Sequence, residues 1–582
     1  MIFSPKLFST IKNYTKEQFY ADLMSGIIVG IVALPLAIAF GIASGVKPET
    51  GLITAVIAGF IISFLGGSRV QIGGPTGALI VIVYGIIQQF GFDGLIVATI
   101  MAGIILILLG AFKLGNVIKF VPHPVIVGFT SGIALIIFST QIKDFFGLQI
   151  ADVPSDFIDK WLSYFGAIDT ISWRSVIVAT ATILIIVFTP KISKKIPGSL
   201  IAIIVMTVLA YFMRKYGIQI ETIGDRFGSD FALSAPKAPN VTFEMIRMLM
   251  PAAFTIAMLC AIESLLSAIV ADGVTGDRHN SNTELIAQGV ANIVTPFFGG
   301  IPATGAIART MTNINNGGRT PIAGMTHAVV LLLIILFFGS LTQHIPMACL
   351  AGVLVIVSYN MSEWRSFVGI CRHWGTKRKG RWWNIPARSK SRLAILMTDS
   401  GVLLITFLLT VMVDLTYAIV VGLLLGLVLL LKRITETTSI SVIDKELINS
   451  EIEEEISADD TEKLIIPEGV EIYEINGPFF FGVANKFNEQ IKTIGEKPRV
   501  RIIRMRKVPF IDSTGLHNLR SLYRSSSREG IQIILSGVNN GVHDTLQQTH
   551  FAKEIGEENI CSDIYVALNQ ALFYINKKNK DK

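Results

Sequence analysis

Charged residues and cysteines are both scarce in this chain. Asp, Glu, Lys and Arg make up 16% of its 582 residues, against about 25% in soluble globular proteins, while apolar residues make up 51%. This composition excludes a cytosolic enzyme and a disordered protein. The four cysteines lie far apart and form no CxxC pair, which excludes a disulfide scaffold and a zinc site.

Motifs of catalysis and of nucleic-acid binding are also missing. The sequence contains no GxxxxGK[ST] loop, no HExxH helix and no nucleophile–base constellation. It also has no basic stripe with interleaved aromatic residues. We therefore expect no enzyme, no cofactor, no metal site, no ATP-driven pump and no nucleic-acid partner.

Long apolar runs fill the first three quarters of the chain. Several are shorter than the roughly 20 residues of a full membrane span, so they are expected to be half-helices that line a protein cavity. The fourteen predicted segments lie near 23–45, 51–66, 75–89, 93–112, 122–140, 173–190, 198–213, 249–270, 284–298, 305–316, 321–340, 346–359, 394–414 and 416–433.

The C-terminal quarter has a different composition. Residues 1–433 carry 32 basic and 20 acidic residues, whereas residues 434–582 carry 18 and 23. We predict a transmembrane domain over 1–433 that contacts membrane lipid, an acidic linker over 434–466 and a soluble α/β domain over 467–582. Strand-like runs alternate with helical ones in the last part, which indicates helices packed on a sheet.

Two glycine-rich motifs reveal an internal repeat. Residues 73–78 read GGPTGA and residues 299–306 read GGIPATGA, and each opens a short segment. The match pairs segment three with segment ten, so the fourteen segments divide into seven and seven. Because seven is odd, the second half is expected to run inverted across the membrane. Interrupted segments at matching places in two inverted halves point to a transporter site.

A helix that begins within the membrane presents unpaired N–H groups and the positive end of its dipole. One such helix is expected to begin at Pro75-Thr76, and a second near Thr304-Gly305. Two helix starts that face each other can hold an anion without any full positive charge. The alternative is that both motifs are ordinary tight kinks between helices.

The chain resembles the sulfate permease (SulP) anion transporter family over nearly its whole length. The resemblance rests on the run Val32–Phe40, on Pro75-Thr76, and on Ala306–Arg309. Residues Ala257–Gly276 are most similar to the bacterial C4-dicarboxylic acid transporter subgroup. Asp512-Ser513-Thr514-Gly515 resembles the motif of a STAS domain, the appendage that this family usually carries.

The resemblance implies core and gate subdomains, an elevator-like movement and a homodimer in the bacterial inner membrane. Leu36 stands where many relatives have Gln, and Ala308 stands where others have Ser, so fewer side chains are expected to bond to the anion. Carried over by position, the substrate-binding residues are Phe40, Pro75, Thr76, Gly77, Ala306, Ala308 and Arg309, and the ion-coupling residue is Glu263.

Glu263 lies deep in an apolar run, on one helical face with Cys260, Ser264 and Ser267. A carboxylate there costs at least about 2.5–3.5 kcal/mol, and such residues are usually functional. The alternative is a fixed ion pair with Arg309. In the C-terminal domain, Asp512 and Ser513 are the regulatory candidates: either can cap the helix that follows, and the serine is also a candidate phosphorylation site.

Two functions other than an enzyme fit these patterns. The first is a secondary active anion transporter with proton symport as the coupling. The subgroup resemblance alone implies C4-dicarboxylate, sulfate and bicarbonate as substrates, in that order. Sodium coupling is its alternative. The second is an anion channel or a membrane sensor that signals through its STAS domain to a cytoplasmic protein partner.

The loop charges predict the membrane orientation. The loop 360–393, after segment twelve, holds nine Lys/Arg residues and one acidic residue, and smaller lysine clusters follow segments four and six. All three loops share a side, so the positive-inside rule places both termini in the cytoplasm. A reporter fused after Lys582 should be active only in a cytoplasmic assay, and periplasmic activity would contradict this orientation.

Overall fold

The computed structural model describes residues 3–12, 14–116, 122–150, 153–154, 156–192, 197–228, 242–375, 387–413, 415–442, 466–480 and 498–580. Two compact units, Met1–Gly426 and Leu427–Lys582, divide the chain close to the predicted boundary at residue 433. Most of the predicted acidic linker, part of the predicted α/β domain and part of the basic loop lie outside the described residues.

Helices dominate the described residues. In chain order they are α1 (Lys6–Ile11), α2 (Lys16–Ala43), α3 (Pro48–Leu65), α4 (Gly77–Ala111), α5 (His123–Phe146), α6 (Phe157–Gly166), α7 (Trp173–Ile192), α8 (Gly198–Lys215), α9 (Ile223–Phe227), α10 (Phe243–Thr275), α11 (Ser281–Val294), α12 (Ile307–Asn315), α13 (Pro321–Phe338), α14 (Met347–Met361), α15 (Trp364–Gly375), α16 (Ala387–Met412), α17 (Leu415–Thr437), α18 (Ser513–Arg528), α19 (Asn540–Gln548), α20 (Phe551–Ile555) and α21 (Ile564–Lys580). The strands are β1 (Gly73–Gly74), β2 (Thr304–Gly305), β3 (Ser439–Val442), β4 (Val470–Asn476), β5 (Val500–Lys507), β6 (Gln532–Ser536) and β7 (Ile560–Cys561).

All fourteen predicted segments lie on helices. Segments three and four are the two parts of α4, which are separated by a non-helical Gly91 at φ 68°. Within the described residues, eight helices are long and apolar enough to cross a membrane, and shorter apolar helices accompany them. Segment ten differs from the prediction of an apolar run, because α12 is amphipathic and buries Arg309, Thr310 and Asn313.

The helix packing follows the predicted inverted repeat. The first repeat is α2, α3, the two parts of α4, α5, α7 and α8, and the second is α10 to α14, α16 and α17. Helix α2 packs on α13 as its counterpart α10 packs on α4, and α3 packs on α13 as α11 packs on α4. Likewise α5 packs on α16 as α14 packs on α7, and α5 packs on α14. This exchange of partners is what a two-fold axis between the repeats produces.

Glycines let these helices approach at backbone distance. A β-carbon placed on Gly103 of α4 would lie 2.7 Å from the carbonyl oxygen of Gly289 on α11, and the reverse substitution would place one 2.6 Å from the carbonyl oxygen of Gly103. Gly128 of α5 is similarly close to the carbonyl oxygen of Leu403 on α16. Since lipid provides no hydrophobic drive between helices, close packing of small residues is what holds such bundles together.

The C-terminal unit is a sheet covered on both faces by helices. Its strand order is β3-β4-β5-β6-β7, with β3 antiparallel to β4 and the other pairs parallel. Alternate strand residues pack against α18, α19 and α20 on one face and against α21 on the other. The strand β3 lies within the stretch 434–466 that was predicted as linker, so the sheet begins before the acidic run.

The glycine contact between α4 and α11 generates a stability prediction. Gly103→Ala forces a methyl group against a carbonyl oxygen, and overpacking of this kind costs about 1–3 kcal/mol. Gly85→Ala, on the same helix, is the control, because nothing lies within 4 Å of its added β-carbon. Thermal unfolding of the purified proteins should show a lower melting temperature for Gly103→Ala only. Equal melting temperatures would contradict this account of the packing.

Candidate functional site

The two glycine-rich motifs meet in the first unit as a short antiparallel pair. Gly73 of β1 pairs with Gly305 of β2, and Gly74 pairs with Thr304. The N–H of Ala306 extends the pairing by donating to the carbonyl oxygen of Ile72 at 2.9 Å. The N–H and C=O groups of these two segments are not part of a helix, so the pairing supplies their hydrogen bonds. Within a membrane, backbone groups must find such partners in the protein. After the crossing, the first segment continues as α4 and the second as α12.

Glycine is required at the crossing because other groups approach its backbone closely. Gly74 has a φ of 151°, and a β-carbon there would lie 2.4 Å from the Nη1 atom of Arg309. A β-carbon on Gly305 would lie 1.6 Å from the Nε2 atom of Gln71. The two glycines that mark the repeat in the sequence are therefore positions where any side chain would open the crossing.

The polar face of α10 holds the second crossing strand. The Ser264 hydroxyl accepts the N–H of Gly305 at 3.0 Å and shares a 2.7 Å hydrogen bond with the hydroxyl of Thr304. The Cys260 thiol donates to the carbonyl oxygen of Ala303 at 3.3 Å. The spacing of polar residues predicts this face of α10, but nothing in the local sequence marks Thr304, 40 residues away, as its partner.

Glu263 lies on the same helix but turns towards the first half-helix. Its Oε2 atom accepts the hydroxyl of Thr76, the residue before α4, at 2.7 Å. The side chain also borders a cavity of about 40 Å³. Apart from Thr130, its other walls are apolar residues of α5, α10 and α17, among them Phe129 and Ile419. A carboxylate is favourable at this place because it faces the positive end of a helix dipole.

Arg309 does not form the ion pair considered as an alternative for Glu263. The side chain is 2% exposed, and its Nη2 atom donates to the carbonyl oxygen of Pro75 at 3.0 Å. Within the described residues, its Nη1 atom has no hydrogen-bond partner and no carboxylate lies within 4.0 Å of the guanidinium. The crossing thus contains a buried, unpaired positive charge, which proteins rarely retain without a use.

The open side of the crossing combines backbone and side-chain groups. Thr76 and Glu263 are half-buried, and Ile307 and Ala308 in the first turn of α12 are exposed. Neither Thr76 nor Ala306 makes a side-chain cap, so the first N–H groups of both helices lack a capping partner from the residue before them.

The remaining predicted residues lie behind this open side. Phe40 is buried on α2 in the main apolar core. Gly77 begins α4, and a β-carbon there would lie 2.6 Å from the sulfur of Met361 on α14 and 3.3 Å from Ile137 on α5. The start of α4 therefore packs directly on α5 and α14, and a side chain at Gly77 would require Met361 to move.

The regulatory candidates lie at the start of α18 in the C-terminal unit. The Asp512 carboxylate accepts the N–H of Gly515 at 2.7 Å, which confirms the predicted capping role. Ser513 is the first residue of the helix and is exposed. Its position leaves the hydroxyl accessible to a modifying enzyme, and the modification itself stays a prediction.

Comparisons with known proteins assign the family. Residues 19–379 match the model of the sulfate permease family, and residues 463–571 match the STAS domain. The chain is 38% identical to the "Putative sulfate transporter YvdB" of Bacillus subtilis, over 94% of this chain and 97% of that protein. It is 31% identical to the bicarbonate transporter BicA of Picosynechococcus, over 95% of each.

A solved structure assigns the fold. The structure of SLC26A9 superposes with a TM-score of 0.81 at 16% identity, covering 99% of this chain and 93% of that one. The fourteen-segment architecture with a C-terminal α/β domain is thereby confirmed, while the predicted C4-dicarboxylate subgroup finds no support among these relatives. The chain belongs to the sulfate permease family of anion transporters and carries a STAS domain at its C-terminal end.

Proposed function

We propose that this chain is a secondary active transporter that binds a small oxyanion between the starts of α4 and α12 and carries it together with a proton. The observation that supports this proposal best is the buried crossing itself. Two uncapped helix starts meet there beside the unpaired guanidinium of Arg309. Each feature alone favours an anion, and together they concentrate positive potential without blocking the open side.

The substrate is proposed to be a small inorganic oxyanion. Helix ends recognise charge and size, so sulfate, bicarbonate and a C4-dicarboxylate all fit the chemistry of the site. The names of YvdB and BicA favour sulfate or bicarbonate over the C4-dicarboxylate that was predicted first. Uptake into vesicles in the presence of each competitor distinguishes them, since only the transported class reduces uptake at concentrations near its own KM.

Proton coupling is proposed to act through Glu263. The carboxyl group of Glu263 lies 2.7 Å from the Thr76 hydroxyl, beside the place where the anion would bind. Protonation removes that negative charge, which makes anion binding more favourable and lowers the charge that the moving core carries. Because low external pH protonates the carboxyl, uptake is expected to rise as external pH falls.

Sodium coupling is the second candidate. The carboxylate of Glu263 and the hydroxyl of Thr76 place two oxygen atoms at one point, and oxygen is the ligand type that hard cations prefer. A sodium ion bound there would neutralise Glu263 as a proton does. Stimulation of uptake by sodium at constant pH is the result that favours this alternative.

The wider mechanism is also a proposal. The core (α2–α4 and α10–α13) would move against the gate (α5, α7, α8, α14, α16 and α17) as an elevator. The protein would be a homodimer in the bacterial inner membrane with both termini in the cytoplasm, where the STAS domain could bind a regulatory protein. A channel or sensor remains the alternative, and accumulation of substrate against its gradient excludes it.

Removal of the Thr76 hydroxyl tests the half-helix site. Thr76→Val should raise the Kd for the anion about three- to tenfold, since loss of a hydrogen bond to a charged group costs about 1–2 kcal/mol. Thr99→Val is the matched control, because the Thr99 hydroxyl bonds only to the carbonyl oxygen of Leu95 on the same helix. Arg309→Ala should weaken binding further by removing the positive potential. If both site variants bind like the wild type, the anion is held elsewhere.

Neutralising Glu263 tests the coupling. Glu263→Gln should bind substrate and exchange it down its gradient, but lose the pH dependence and fail to concentrate substrate on a proton gradient. Glu284→Gln is the control for removing a buried carboxylate, because Glu284 accepts the N–H groups of Gly67 and Ser68 and serves the packing of α11. It should keep the pH profile. A Glu263→Gln protein that accumulates substrate with an unchanged pH profile would remove Glu263 from the mechanism.

A further inference from the structure

A second polar cavity lies at the opposite end of the helices from the loops predicted to be cytoplasmic. Its volume is about 140 Å³, and α2, α4, α5 and α14 form its walls while α6 and α9 cover it. Two of these helices belong to the predicted core and two to the predicted gate. The polar or ionisable side chains that line it include Tyr84, Gln141, Asp144, Lys160, Tyr164 and Arg226. None of the residues at the β1–β2 crossing lines it.

Lys160 of α6 brings an unpaired positive charge to this cavity. The side chain is 2% exposed, and its Nζ atom lies 5.8 Å from the centre of the Tyr84 ring. In the part of the chain that the structure describes, no carboxylate lies within 4.0 Å of this ammonium group. Burial lowers the pKa of Lys160 to about 8, and the charge of Asp156 opposes that shift. The ammonium group is therefore still mostly charged at neutral pH.

Tyr164, one helical turn after Lys160, adds an unused hydrogen-bond donor. Its side chain is 4% exposed, and among the described residues its hydroxyl has no hydrogen-bond partner. A buried hydroxyl without a partner costs about 1–3 kcal/mol relative to a bonded one. Among the described residues, Lys160 without a carboxylate partner and Tyr164 without a hydrogen-bond partner thus lie one turn apart in one cavity, which is unusual unless a ligand completes them.

Arg226, the other cation that lines the cavity, is paired with two carboxylates. The Arg226 guanidinium of α9 donates two hydrogen bonds to Asp144 of α5, at 3.1 and 2.7 Å, and two more to Glu221, both at 2.8 Å. Asp144 therefore forms its ion pair with Arg226 and not with Lys160. These pairs also join α9 to α5 beside the cavity.

We propose that this cavity is a second anion site, in which a small oxyanion pairs with the ammonium group of Lys160 and accepts a hydrogen bond from the hydroxyl of Tyr164. The inference rests on the proposed transport function and extends it. An anion here would contact core and gate helices at once, on the side that the predicted orientation makes external. It would dock substrate at the entrance before transfer to the half-helix site, or hold the two subdomains together until it leaves.

Calorimetric titration of the purified full chain with sulfate, and separately with bicarbonate, tests this site. Wild type, Lys160→Met, Thr76→Val and the double variant are compared. Wild type should bind in two classes. Lys160→Met should weaken the second class at least tenfold and leave the first unchanged. Thr76→Val should weaken the first class about three- to tenfold and leave the second unchanged, and the double variant should show both losses. Lys47→Met, an exposed lysine at the start of α3, controls for loss of surface charge.

Two further variants separate binding from folding. Lys160→Arg keeps the charge and should retain the second class within about threefold. Tyr164→Phe should weaken it about threefold while the melting temperature without anion stays equal or rises, because the lost hydroxyl has no protein partner to leave behind. A fall in melting temperature with unchanged binding would mean that the hydroxyl serves the fold and would overturn its role.

The two sites fail independently in this experiment. If Lys160→Met binds both anions like the wild type, the second site does not exist, whatever Thr76→Val does. If Thr76→Val binds normally while Lys160→Met loses a class, the half-helix proposal fails and the site at Lys160 stands. A wild-type chain with a single class that only Thr76→Val weakens also overturns the inference.

Discussion

Two stretches of extended backbone cross inside the helical bundle, where water is not available to bond their polar groups. Pairing β1 with β2 satisfies those groups, and most features of the first unit follow from that pairing. Gly74 and Gly305 must lack side chains because neighbouring groups occupy that space. The polar face of α10 exists to hold the second strand. Both α4 and α12 must begin where the crossing ends, so their positive ends meet at one place.

Two helix starts and the guanidinium of Arg309 supply the positive potential proposed for this site. Helix ends offer N–H groups to any anion of suitable size, whereas side chains would recognise particular atoms. The open side has few such side chains: Thr76 and Glu263 are there, and Ala308 contributes none. At the proposed site, changes of one or two residues at the rim would alter the anion that binds, and two relatives are named for different oxyanions. Arg309 strengthens the potential from behind without approaching the open side.

Patterns that act over a few residues were readable in the sequence, and contacts between distant residues were not. The segments, the repeat and the polar face of α10 all follow from local periodicity and from two glycine-rich motifs. The sequence does not reveal the hydrogen-bond partner of Arg309. That partner, Pro75, is 234 residues away and offers a backbone carbonyl oxygen, which any residue could supply. The cavity at Lys160 was missed for the same reason: α6 reads as a short amphipathic helix, and only the fold brings α5 and α9 around it. The strand β3 was hidden by the acidic run that follows it.

The reciprocal contact of Gly103 and Gly289 limits how this protein can diverge. Each glycine faces the carbonyl oxygen of the other, so a larger residue at one position is not accommodated by a smaller one opposite, since no smaller residue exists. In ordinary cores, a larger residue at one position can be offset by a smaller one opposite. This helix pair does not allow such compensating substitutions. Any descendant that separates α4 from α11 must shift both helices at once. The loops and the rim of the site are then the places where new variants can accumulate.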